Sequence, residues 1–142
     1  MRFLQLTLIS LIASIGLAAS MYGIYQWTGN EAYRLLYNAD YIPILRQFEH
    51  LKYFGFTFHI VFCFISVIGV FYVLQFFGRQ YAVLPYVIVY TGGSSVLYFL
   101  SYFTEGPPAA NDFYGWFSWT FSHLIYSGIV IFFIHFWMKK RR

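Results

Sequence analysis

Three observations predict an all-α integral membrane protein folded as a four-helix bundle. The nine Lys or Arg and five Asp or Glu residues leave residues 3–27, 53–77, 80–104 and 113–138 without a single charge. Each stretch is about 25 residues long, enough to cross a hydrocarbon core that needs ~20 residues at ~1.5 Å rise. Hydrophobic residues make up 60% of the chain and charged residues 10%, against about 25% charged in soluble proteins. The expected spans are therefore about 3–27, 53–77, 81–104 and 113–138, in one domain covering residues 1–142. Little is left over for an independent soluble domain.

The first span begins after Arg2, and Ala18, Ala19 and Ser20 resemble a signal-peptide cleavage site. The apolar run continues through Met21, Tyr22, Ile24 and Trp27, past the 7–15 residues of a signal h-region. It is expected to be a retained helix. Residues 28–52 form a long first loop with helical signals of its own. Thr28 and Glu31 have the spacing of a capping box, and Leu35, Leu36 and Ala39 follow at helical intervals. A short amphipathic surface helix is expected there. Pro43 suits a helix's first turn, with Ile44, Leu45, Phe48 and Leu51 apolar and Arg46, Glu49 and Lys52 polar. This segment is expected to run straight into the second span. Tyr33, Tyr37 and Tyr41, with Trp27 and Tyr53, fit an interfacial aromatic belt.

The turn around Gly78 and Arg79 is short enough to demand an antiparallel hairpin of the second and third spans. Mid-way along the third span, Gly92, Gly93, Ser94 and Ser95 predict a helix crossing or a mild kink. The last loop, from Thr104 to Asp112, holds Glu105, Gly106, Pro107 and Pro108, and Asn111 or Asp112 is placed to cap the fourth helix.

Charge distribution sets the expected orientation. With both termini cytoplasmic, Arg2, Arg79, Lys139, Lys140, Arg141 and Arg142 lie inside, and Arg34, Arg46 and Lys52 outside, as the positive-inside rule requires. All five acidic residues then lie on the outer side. The expected location is a bacterial inner membrane. The net charge of +4 forms no groove-like basic surface, so nucleic acid is not an expected partner. The lipid bilayer is one, and other membrane proteins or a second copy are the others. Cys63 is the single cysteine and can form no intrachain disulfide.

The polar faces of the spans carry the functional candidates. In the first span, Ser10, Ser14 and Ala18 share one side and Gly16, Ser20 and Gly23 another, which predicts contacts on two faces. Gly55, His59, Cys63 and Ser66 form a stripe on the second span, and Trp116, Thr120, His123 and Ser127 form one on the fourth. Both helices run inward from the outer side, which puts His59 and His123 at nearly one depth, roughly 10 Å in. Tyr98 and Tyr102 are expected to reach that level from the third span, making His59, Tyr98, Tyr102 and His123 a candidate intramembrane polar cluster. Glu105 and Asp112 are candidate outer-face polar groups.

Several motifs are absent: no metalloprotease motif, phosphate loop, cysteine pair or row of intramembrane carboxylates occurs. No catalytic residue and no metal site are assigned. The expected function is a non-catalytic accessory, assembly or scaffolding component of a membrane complex. Two alternatives stand beside it: a redox protein holding b-type haem or a metal through His59 and His123, and an enzyme or transporter handling lipid or a small molecule with Glu105, Asp112 and the two histidines.

Overall fold

The computed structural model describes residues 1–139, so Lys140, Arg141 and Arg142 of the basic terminal cluster lie outside the described residues. Among the described residues all regular structure is helical. Four helices are long and apolar enough to cross a membrane: α1 (Arg2–Thr28), α2 (Phe54–Phe76), α3 (Val83–Phe103) and α4 (Phe113–Lys139). Helices are one of the two ways a chain can satisfy its own backbone hydrogen bonds in hydrocarbon.

Helix ends follow local chemistry. Gly29 takes a left-handed φ of 72° and its N–H closes onto the Tyr25 carbonyl at 2.8 Å, ending α1. At the end of α2, Gly78 has φ 68°, its N–H bonds to Gln75 O at 3.0 Å, and Arg79 N–H bonds to Leu74 O at 2.7 Å. That pair of bonds is a Schellman motif, which reverses the chain into the hairpin. Asp112 caps α4 by accepting the Gly115 N–H at 3.0 Å.

Helix α1 packs against α2 on one side and α4 on the other, and α3 packs on α4. The α1 face that does so repeats Leu6, Ile9, Ala13, Leu17 and Met21, all buried, at steps of three and four. Gly16 lies flush against α4, where an added Cβ would sit 2.5 Å from Ile129 Cδ1. Two tryptophans tie α3 to α4: Trp116 Nε1–H donates to Ser95 O at 3.0 Å and Trp119 Nε1–H to Ser94 O at 2.8 Å. Although α2 and α3 are joined by the short turn, they do not pack along their lengths. The bundle therefore runs α2, α1, α4, α3, with a gap between its first and last members.

Two expectations for the first loop are corrected. Thr28 is the last residue of α1, and its hydroxyl bonds back to Ile24 O at 2.7 Å. The left-handed Gly29 moves the next helical start on, and Asn30 becomes the cap, its side-chain oxygen accepting from Ala32 N at 3.0 Å. A six-residue 3-10 helix, Glu31–Leu36, follows. The helix at Pro43 lasts only to Arg46, residues 47–53 are turns, and α2 starts afresh at Phe54. Polar contacts break what would have been a single rod. The Glu49 carboxylate accepts the Ala39 N–H at 2.6 Å, Arg46 pairs with Glu105, and Gly55 packs directly on the Tyr37 backbone carbonyl.

The loops after α1 and α3 meet at one end of the bundle. Asn30 Nδ2 donates to Asp112 Oδ2 at 2.9 Å, and the Arg46–Glu105 pair spans the same junction. From this end, Leu35 and Leu36 descend into the core, where both are buried.

Candidate functional site

Four-residue steps along α2 put His59, Cys63, Val67 and Phe71 on one buried face. His59 Nε2 lies 3.1 Å from the Ser14 carbonyl of α1. A carbonyl only accepts, so Nε2 carries the proton and Nδ1 is left as an acceptor, 3.8 Å from Cys63 Sγ. On α4, His123 Nδ1 lies 2.8 Å from Trp119 O one turn back, and the two rings are 4.4 Å apart between centroids. The proton is on Nδ1, and Nε2 has no protein partner among the described residues.

Both histidines line one cavity of about 220 Å³ enclosed by α2, α3, α4 and the loop leucines. Its polar lining includes His59, Cys63, Ser66, Tyr90, His123 and Tyr126, together with the Tyr41 and Ser94 hydroxyls and the Trp119 indole. Ser66 Oγ–H donates to Cys63 O at 3.0 Å and therefore accepts from the Tyr126 hydroxyl at 3.3 Å. The Tyr90 hydroxyl donates across the gap to Ser66 O at 3.3 Å. The remaining wall is apolar, and three of its members, Phe62, Val89 and Leu97, are 50%, 42% and 43% exposed on the outer surface of α2 and α3. The cavity thus opens sideways through the gap between those helices.

The chain matches no protein-family model, no curated protein and no solved structure.

Of the expected cluster, His59 and His123 do share the site, while the two tyrosines do not line it. The Tyr98 ring is buried against Trp119, and its hydroxyl donates to Ala109 O at 3.1 Å, fastening the last loop. Tyr102 is 77% exposed. Residues Tyr98–Phe103 form a 3-10 helix, in which four residues rotate the chain about 120° past a full turn, instead of about 40° in an α-helix. That extra rotation carries Tyr102 off the Tyr86, Tyr90 and Tyr98 face. Glu105 and Asp112 belong to the loop junction, one paired with Arg46 and the other capping α4 and holding Asn30.

Bis-histidine haem does not fit these residues. His59 Nε2 is taken by the Ser14 carbonyl and His123 Nδ1 by the Trp119 carbonyl, so an iron would meet unlike nitrogens, Nδ1 of one ring and Nε2 of the other. Among the described residues no group of three or more His, Cys, Asp or Glu is placed to hold a metal.

Sequence spacing pointed to the histidines but missed Tyr126, Tyr90 and the loop leucines. The signal for Tyr126 is its three-residue step from His123, which shares a helix face. Nothing local marks Leu35 and Leu36 as cavity wall, since a loop folding into a bundle is a tertiary event.

Proposed function

We propose that this protein is a non-catalytic component of a bacterial inner membrane, with both termini cytoplasmic, acting in an accessory, assembly or scaffolding capacity by binding other membrane helices. One observation carries the proposal. Gly92 and Gly93, midway along α3, are exposed, and a Cβ added to either meets nothing within 4 Å. Small residues are where helices approach closely in lipid, yet these two are not used inside this bundle. They lie in or beside a π-helical turn, Ile88–Gly93, that widens the backbone at the same level, a feature frequent at functional positions.

The experiment is purification in mild detergent, with an absorbance spectrum and identification of co-purifying membrane proteins, on the wild type and on a Gly92→Leu, Gly93→Leu variant. The wild type is expected to carry a stoichiometric partner or a second copy, and the variant to lose it at least tenfold while keeping its thermal stability. Retention of the partner by the variant, or a wild type that is monomeric and unaccompanied, overturns the proposal. A haem Soret band in the purified protein would restore the redox alternative.

A further inference from the structure

The hydrogen bonds around the cavity leave it with acceptors and almost no donors. Charge is expensive at this depth, and with one proton per ring the histidines give theirs to Ser14 O and Trp119 O. The Tyr90, Tyr126, Ser66 and Ser94 hydroxyls and the Trp119 indole all donate to protein oxygens. Tyr41, at the loop end, is the only lining O–H or N–H group without a protein acceptor among the described residues. Against this stands the His123 Nε2 lone pair, for which the described residues supply no donor.

We propose that this cavity is a binding site, reached from the lipid, for an amphiphile whose head carries a hydroxyl that donates to His123 Nε2. Size supports this chemistry. A dry cavity of about 150 Å³ takes a benzene ring, so about 220 Å³ accommodates a ring or a short alcohol head. The attached chain leaves through the gap between α2 and α3, past Phe62, Val89 and Leu97, into the bilayer. Phenolic and aliphatic alcohols satisfy the site equally in principle, whereas ethers and ketones leave the imidazole unpaired. An unpaired buried acceptor is the larger loss, because its desolvation goes uncompensated. The site needs no partner protein, so it stands or falls independently of helix binding at Gly92 and Gly93.

The test uses the full chain in lipid nanodiscs and three probes: 4-hexylphenol, its methyl ether 4-hexylanisole, and 1-decanol. Binding is read from quenching of Trp119-dependent fluorescence, corrected for partition into empty nanodiscs. Saturable binding of at least one hydroxylated probe is expected, several-fold to tenfold tighter than the ether. Phenol over decanol then indicates a ring-headed guest, and the reverse an aliphatic alcohol. His123→Leu should erase the preference for the hydroxyl. Val89→Trp, on an exposed position that leaves His123 untouched, should obstruct the mouth and weaken all probes. No saturable binding, meaning that water alone fills the cavity, overturns the proposal. So does equal binding of phenol and ether, or a hydroxyl preference that survives in His123→Leu protein of wild-type helicity.

Discussion

Gly115 and Gly128 lie on the same helix and differ only in what surrounds them. An added Cβ at Gly115 would press on the Tyr98 hydroxyl and come within 2.6 Å of Asp112 Oδ2, disturbing both the cap of α4 and the anchor of the last loop. At Gly128 it would meet nothing within 4 Å. Overpacking of this kind costs about 1–3 kcal/mol, so Gly115→Ala should lower thermal stability clearly, and Gly128→Ala should not. Equal melting temperatures for the two variants in detergent would show that the cap junction is looser than described. The chemistry of single residues was partly legible beforehand. Asp112 declares itself as a cap by preceding an apolar run, and His59 and His123 stand out as ionisable groups in uncharged helices. Their acceptors do not: Ser14 O is on another helix, and Trp119 O became a partner only through the rotamer that the packed bundle allows.

At the scale of elements, the first loop is where local pattern and observed structure part. The periodicity from Pro43 to Lys52 is helical, but its one carboxylate, Glu49, has a better use than facing water. Asp40 and Glu49 act on each other: the Glu49 side chain beside it holds the Asp40 carboxyl below its ordinary range, while burial, reinforced by the nearby Asp40, pushes Glu49 above its own. Of the two, Glu49 holds its proton to the higher pH. Its protonated form favours the folded loop below the usual carboxylate range, and that contribution is lost as pH rises through the raised value. Asp40 works in the opposite sense, contributing above the ordinary range and losing its contribution as pH falls through the lowered value. Thermal stability should therefore carry a component that falls as pH rises above the ordinary glutamate range. In Glu49→Gln, which keeps the acceptor and removes the charge, the fall should vanish. An unchanged pH profile in that variant would assign the dependence to another group.

For the whole molecule, the loop junction at Asn30, Arg46, Glu105 and Asp112 places the chain from 29 to 53 and the chain from 104 to 112 at one end, with the Gly78 turn at the other. If the bundle spans the membrane as proposed, a cysteine at exposed Gln47 and one at Arg79, each in a Cys63→Ala background, should label with an impermeant maleimide from opposite sides of sealed vesicles. Labelling from the same side would refute the four-span arrangement. In the native chain, Cys63 is 3% exposed and should stay unlabelled until the protein is denatured.

The sequence by itself determined the four long apolar helices, their approximate extents and the tight turn that joins α2 to α3. Charge is excluded from hydrocarbon, and helix length is set by its thickness, and both are visible one residue at a time. Only the tertiary structure decided that α2 and α3 part after their turn, that α1 supplies the oxygen for His59, and that Leu35 and Leu36 close the end of a cavity. Those outcomes depend on which faces meet, and in helices apolar on every side the sequence carries little signal for that choice. Close packing at Gly16, and indole bonds from Trp116 and Trp119 to the serine carbonyls of α3, made it.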